Sequence, residues 1–346
     1  MRPHRMELPR LIEIGEGNLA GFGRFVRRLG CGGRISLVSG PGARGRLGRR
    51  IEASLGALGI RARWHEAGEN RPGPLRRLAG EVGRFRPSMV AGVGGGRPVD
   101  AAKLASHRLG IPFVSLPTAA SHDGIASPFA SVAGRRPHSM VATAPTGVFV
   151  DIRVIRGAPA RLIASGCGDL VANMVAVRDW QLGHARGEYY GRYAADLAAM
   201  SARIIMENSR RFAGEGTDAR VVVEALISAG VASCIAGSSR PCSGSEHLFS
   251  HALDRIAPGA GLHGEKCGIG SIMMSRLQGG DWRRVRRALR DVGAPTSAEQ
   301  VGVSAADVVE AVVTAQSLRP GRHTILAEKR PGRRAAERLA RETGVI

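Results

Sequence analysis

S-M-V-A-G-V-G-G-G-R-P-V-D-A-A-K-L-A, residues 88–105, decides the fold. A short apolar run from Met89 to Val93 flows into Gly94, Gly95 and Gly96, and Pro98 stands where a first helical turn would begin. The pattern predicts a strand, a tight turn and a helix. Glycines at such a turn let the backbone approach an anion, and the helix start adds free N–H groups and positive potential. The stretch is not G-x-G-x-x-G, and by pattern alone a tight turn with no ligand fits equally well.

The same alternation spreads outward on both sides. Before it come a strand with Leu11, Ile12 and Ile14, a helix with Leu19, Phe22 and Val26, and a strand from Arg34 into a glycine-rich turn. Next are a helix with Leu47, Ile51, Leu55 and Leu58 on one stripe, a strand over 61–67, and a helix over 74–85 carrying Leu75, Leu78, Val82 and Phe85. After it the helix stops by Gly110, a strand runs from Ile111, and residues 131–151 read as an antiparallel ribbon turning at 134–137. Strands alternating with helices of this length predict a parallel sheet covered on both faces. From about residue 159 strands vanish. Helices are expected over 160–183, 188–212, 219–236, 244–255, 264–277, 281–290, 304–317 and 333–342. The expected architecture is an α/β domain over 1–158 and an all-helical domain over 159–346.

The chain has 346 residues, room for two cores, and 43% hydrophobic content, ample for burial. Its net charge of +21 suggests nucleic acid, but aromatic residues are only 4% and the arginines sit in pairs between apolar residues, as on solvated helix faces. A field that draws in anionic substrates is the better reading, with no nucleic-acid partner. No apolar run approaches the roughly 18 residues of a membrane span, and the start M-R-P-H-R-M-E-L-P-R lacks an apolar leader core. Cys31, Cys167, Cys234, Cys242 and Cys267 are odd in number and form no C-x-x-C, which suits a reducing cytoplasm. Only three lysines occur, Lys103, Lys266 and Lys329, and the first two lie in motif-like stretches where a compact ammonium would differ from a guanidinium.

In S-E-H-L-F-S-H-A-L-D, residues 245–254, His247 and His251 stand four apart and share one helix face. His263 follows a Pro258–Gly261 break, and Asp169 follows two glycines in G-C-G-D-L. Two imidazoles and a carboxylate with a position left open describe a catalytic zinc site. An i, i+4 histidine pair also arises by chance, and Asp169 at the start of a long helix serves equally well as an N-cap. P-T-A-A-S-H-D-G-I-A-S, residues 117–127, is a polar loop at the carboxyl edge of the sheet, where open α/β sheets bind ligands. A capping turn explains it equally well.

These runs, with H-G-E-K-C-G-I-G at 263–270, resemble the iron- or zinc-dependent polyol dehydrogenases and dehydroquinate synthases, and within that group the archaeal sn-glycerol-1-phosphate dehydrogenases. The similarity runs from L-P-R-L-I-E-I-G-E-G-N at Leu8 to R-H-T-I-L ending at Leu326. It implies a Rossmann-like NAD(P)-binding domain, a helical metal- and substrate-binding domain, and an active site in the cleft between them. Gly95, Gly96 and Asp100 would contact the NAD or NADP pyrophosphate, and Thr118, Ser121 and Ser127 the rest of the cofactor. Asp169, His247 and His263 would hold one Zn2+ per subunit, or Fe2+. Asp123, Asp169 and His251 would meet the substrate, with Asp123 and His251 as the catalytic pair and His251 a hydrogen-bond donor or proton relay.

The implied reaction reduces dihydroxyacetone phosphate to sn-glycerol 1-phosphate, for archaeal membrane phospholipids, in a cytoplasmic homo-oligomer, dimer or octamer. The alternatives are a polyol dehydrogenase acting without a phosphate and, third, a dehydroquinate synthase. Arg135 and Arg136 are candidates for the substrate phosphate, or else decorate the ribbon turn. His323 stands where the resemblance leads one to expect tyrosine. Glu66 disfavours a 2′-phosphate on the cofactor, whereas neighbouring arginines would accept one.

Overall fold

The computed structural model describes residues 4–132, 138–213 and 218–346, the side chains of 138 and 139 aside. The expected ribbon turn at 134–137, with Arg135 and Arg136, lies outside the described residues.

Strands β1 (Leu11–Gly15), β2 (Arg34–Ser39), β3 (Arg61–Glu66), β4 (Met89–Gly94) and β5 (Phe113–Pro117) are followed by β6 (Phe129–Val132), β7 (His138–Val141) and β8 (Gly147–Asp151). Six of them form one parallel sheet in the order β1-β8-β5-β4-β2-β3. β6 and β7 make an antiparallel ribbon, with Phe129 opposite Val141, but the ribbon expected over 131–151 does not extend to its end: β8 pairs in parallel with β1 and β5 in the main sheet. Helices α1 (Phe22–Arg28), α2 (Pro41–Gly56), α3 (Pro72–Arg84) and α4 (Gly96–Leu109) occupy the connections.

The two-residue period of β4 explains how both faces are filled. Met89, Ala91 and Val93 pack with Phe22, Phe25 and Ile51 of α1 and α2. Val90 packs with Val82 and Val99 of α3 and α4 on the other face. Leu47, Ile51 and Leu55 are buried as expected, but Leu58 lies past the end of α2 and is 37% exposed. The stripe stops there because the helix does, at the turn through Gly59 with φ +67°.

After β8 every described element is helical: α5 (Ile152–Arg156), α6 (Ala160–His184), α7 (Arg192–Glu207), α8 (Ala219–Ala236), α9 (Ser245–Ile256), α10 (His263–Leu277) and α11 (Trp282–Asp291), then α12 (Ala298–Val301), α13 (Ala305–Thr314), α14 (Ile325–Lys329) and α15 (Arg333–Glu342). Two expectations need correction. Asp169 is not an N-cap: α6 begins nine residues earlier, and Asp169 projects from the helix interior. Two helices, α6 and α8, are also long and apolar enough to cross a membrane by length and composition. Their most apolar windows are 78% and 67% buried inside the fold, as core helices would be.

Candidate active site

Three helices bring the metal-type side chains together. Asp169 comes from α6, His247 from the first turn of α9, and His263 opens α10. Asp169 Oδ1 lies 3.5 Å from His247 Nε2 and 3.5 Å from His263 Nε2. Cys267 Sγ stands 3.6 Å from His263 Nε2, and one donor atom from each of the four residues fits within a 4.8 Å span. Asp169 Oδ1 is buried with no hydrogen-bond partner among the described residues. Ligands about 2.0–2.1 Å from a tetrahedral zinc stand about 3.4 Å apart, so this spacing suits a shared cation better than mutual hydrogen bonds. The residues present fit a divalent metal.

Glycines make the convergence possible. A Cβ on Gly166 would lie 2.1 Å from the Ala120 carbonyl oxygen, and one on Gly168 would lie 2.4 Å from the Gly264 oxygen. The glycines before Asp169 therefore let the 120–124 loop and the start of α10 lie directly against α6. The Asp123 N–H donates to Asp169 Oδ2 at 2.9 Å, which fixes that loop to the metal-type carboxylate.

The electrostatics favour a cation. Burial alone would raise the Asp169 pKa, but the His247 contact and the His263 imidazole bring it down to about 2. Burial, only partly opposed by Asp169, pushes His263 down to about 3, leaving a neutral ring with a lone pair to offer. His247 is also buried, yet Cys267 and Asp169 outweigh that and raise it well above the usual value. Burial raises the Cys267 thiol, so a proton must leave before it can ligate. Asp123, half-buried at the rim, is pushed up to about 6 by burial and then by the Asp169 charge.

Two of these contributors escaped the sequence reading. Cys267 follows His263 by one turn, and that i, i+4 spacing was the available signal. Glu246 is fully buried and its Oε1 meets His247 Nδ1 at 2.8 Å, turning Nε2 toward Asp169; its only signal was adjacency. We expect Glu246→Gln to weaken metal affinity by about 10- to 100-fold, read by competition with a calibrated chelator, without unfolding the protein.

His251 lies one turn beyond His247, its ring 6.2 Å from that of His263. Burial lowers its pKa, and its Nδ1 is 3.8 Å from Asp254, which is ion-paired with Lys266. Lys266 is thus a second-layer support. Glu265 closes the start of α10 by accepting the Leu262 N–H at 2.7 Å and also pairs with Arg161.

The cofactor-type residues assemble at the carboxyl ends of β4 and β5. Gly94 has φ +154°, Gly95 precedes α4, and a Cβ on Gly95 would meet nothing within 4 Å, so the mouth of the turn is open. The Thr118 N–H donates to the Gly94 carbonyl at 2.9 Å, seating the second loop beside the first. Ser121 lies half-buried in that loop, its carbonyl accepting from Ser165 Oγ at 3.3 Å. A cavity of about 430 Å³ lies over the ends of β2 and β3, lined by Gly40, Arg44, Arg49, His65 and Glu66 among others. An open glycine turn at a helix start, with a cavity of that size over the ends of the two strands next to β4 in the sheet, fits a dinucleotide.

Asp100 and Ser127 are buried against protein atoms instead. Asp100 accepts the Ser131 N–H at 2.9 Å, and Ser127 Oγ points to the Phe129 carbonyl at 3.5 Å. Lys103, fully buried, stands 3.6 Å from Asp100 and donates to the Gly124 and Phe129 carbonyls at 2.8 and 2.6 Å. Together they strap the Asp123 loop to α4. His122, given no role by sequence, joins the two halves: its Nδ1 accepts the Gly124 N–H, and a Cβ on Gly96 would lie 2.1 Å from its Nε2.

The sequence pattern of the iron-containing alcohol dehydrogenases matches residues 13–159. A glycerol-1-phosphate dehydrogenase (NAD(P)+) from Cenarchaeum symbiosum (strain A) is 66% identical, over 100% of this chain and 98% of that one. Its counterpart from Nitrosopumilus maritimus (strain SCM1) is 59% identical, with the same coverage. Among solved structures, a probable glycerol dehydrogenase from Sinorhizobium meliloti 1021 superposes with a TM-score of 0.82 at 21% identity, over 99% of both chains. At that identity the likeness speaks for the fold, a parallel-sheet α/β part followed by helices. Matched end to end by such relatives, the chain belongs to the glycerol-1-phosphate dehydrogenase family, within the iron-containing alcohol dehydrogenases.

Proposed function

We propose that this chain catalyses the NAD(P)H-linked, metal-dependent reduction of dihydroxyacetone phosphate to sn-glycerol 1-phosphate, the backbone of archaeal membrane phospholipids. The observation that carries the reading is the meeting of Asp169, His247 and His263 beside the open glycine turn, with Asp123 on the loop between. The relatives named for this reaction support it along the whole chain.

Asp169, His247 and His263 hold the cation, with Cys267 as a further donor in reach. Gly95 and Gly96 cradle the pyrophosphate and Thr118 and Ser121 take the neighbouring part of the cofactor, while Asp100 and Ser127 hold the loop from behind. When bound, the cation would polarise a carbonyl and the reduced nicotinamide would supply a hydride. Asp123, with a pKa of about 6, offers its carboxyl to a substrate hydroxyl. His251, kept neutral by burial, passes a proton from Nε2 to the oxygen of the former carbonyl. Nδ1 takes up a proton in the same step, from water on the side of Asp254, whose side chain is 31% exposed, so the ring stays neutral throughout.

The five cysteines are free and buried, in keeping with a cytoplasmic enzyme. A homo-oligomer is expected, to be read by light scattering. The decisive test follows NADH oxidation with dihydroxyacetone phosphate and with dihydroxyacetone, before and after chelation. The phosphorylated ketone should be strongly preferred, and activity should vanish with the metal and return with Zn2+ or Fe2+. Equal rates on both ketones would make the enzyme a polyol dehydrogenase.

A further inference from the structure

Cys267 stands one turn after His263 on α10, and its side chain is fully buried. Three other buried thiols point at backbone oxygens: Cys31 at Arg34 (3.9 Å), Cys234 at Ala126 (3.6 Å) and Cys242 at Ala229 (3.2 Å). A contact of that kind settles a cysteine as a small interior residue. Cys267 points elsewhere. Its Sγ lies 3.6 Å from His263 Nε2 and also meets the His247 side chain.

Helix packing puts it there. His263 and Cys267, four apart, share one face of α10. Gly264 and Gly268, the residues that follow them, bring α10 against Ser165 and Gly168 of α6. The close approach that carries His263 to Asp169 therefore carries the thiol as well. A tetrahedral cation holding nitrogen at about 2.0–2.1 Å and sulfur at about 2.3 Å separates those two donors by about 3.6 Å. The Cys267–His263 spacing matches that edge, and the two 3.5 Å spacings from Asp169 Oδ1 to the imidazoles match others. Asp169 Oδ1 itself is buried and has no hydrogen-bond partner among the described residues. Exposure divides the corners. The His263 side chain is 30% exposed, whereas Cys267 is enclosed, so the sulfur takes the inner corner and the outer face is left for substrate.

We propose that Cys267 is a fourth protein ligand of the cation, bound through Sγ as a thiolate. The inference rests on Asp169, His247 and His263 being the metal ligands, as in the reading above. The S–H bond breaks as the sulfur–metal bond forms, and the proton leaves to solvent. The thiol yields it only to a cation already held by Asp169 and the two imidazoles, because burial alone favours the protonated form. One carboxylate and one thiolate then offset both charges of the ion, which an enclosed place requires. A soft sulfur donor also selects its metal, favouring Zn2+ over Mn2+, which suits oxygen ligands.

The test is spectroscopic. Protein stripped by a chelator and reloaded with Co2+ should show a sulfur-to-metal charge-transfer band in the near ultraviolet, beside the visible bands of the bound ion. Cys267→Ser should lose the first and keep the second. X-ray absorption at the zinc edge should find one sulfur at about 2.3 Å in the wild type and none in the variant. By chelator competition, Cys267→Ser should lose Zn2+ affinity by about 10-fold or more and Mn2+ affinity much less. The wild-type spectra decide the matter even where the variant folds poorly. A wild type holding one cation per chain on nitrogen and oxygen alone would overturn the assignment of Cys267 and leave the other three ligands standing. A wild type that takes up no stoichiometric cation would overturn the ligand set, and this assignment with it.

Discussion

Asp169→Ala is expected to lower kcat/KM by about 10³-fold or more, equivalent to about 4 kcal/mol of transition-state stabilisation. Three losses coincide. The cation loses its negative ligand, since the remaining donors are two imidazoles and a thiol that burial keeps protonated. The Asp123 N–H loses its acceptor, so the loop that carries Asp123 loosens. Asp123 also loses the negative neighbour that helps hold its pKa near 6, and it shifts toward an ordinary carboxylate. Metal content per chain should fall well below one by elemental analysis. Thermal stability of the metal-free protein should also fall, by about 1–3 kcal/mol, because the Asp123 N–H is left without the Asp169 Oδ2 acceptor. An Asp169→Ala protein retaining stoichiometric metal and near-normal turnover would refute the ligand set.

Gly264→Ala should be nearly as damaging without touching a ligand. Its Cβ would sit 1.8 Å from the Ser165 carbonyl oxygen and 2.7 Å from the carbon, atoms of the α6 backbone that cannot rotate away. α10 would have to retreat from α6 by more than an ångström, roughly the gap to ordinary contact, and His263 is the preceding residue. Overpacking of this kind costs about 1–3 kcal/mol, and this contact belongs at the upper end. Urea unfolding should show that loss, and metal affinity should fall by about 100-fold as His263 leaves its position. Gly268→Ala is the control. There the new methyl meets Leu289 Cδ2 at 3.2 Å, the far end of a side chain that can shift, so both readouts should stay close to wild type. Equal behaviour of the two variants would show that helix approach does not set the ligand geometry.

How much of this was legible follows from what a one-dimensional pattern can carry. The β4–α4 turn was readable because its signals are local: an apolar run, glycines, a proline at the helix start. α8 and α15 matched their expected bounds because apolar residues recur at helical spacing over several turns. α12 and α14, with 4 and 5 residues, are too short to show a period and were missed. Asp169, His247 and His263 were named by residue type and resemblance. Their convergence depends on Gly166, Gly168 and Gly264, whose function is set by partners 46 to 99 residues away. Glu246 and Arg240 look like any other surface charge in a chain so rich in arginine, and only the packing reveals them as interior.

Lys103 carries a last consequence. A chain that has given nearly every cationic position to arginine has kept an ammonium where the pocket is closed and lined by the oxygens of Gly124, Phe129 and Asp100. Lys266, also enclosed, reaches Asp254 in a similar confinement. Compositional drift toward arginine can sweep an open surface, but it halts where a longer, flat head group has no volume to enter. In a protein of this composition, two of the three surviving lysines, Lys103 and Lys266, therefore work as natural markers of its rigid polar interior, while Lys329 stays on the surface.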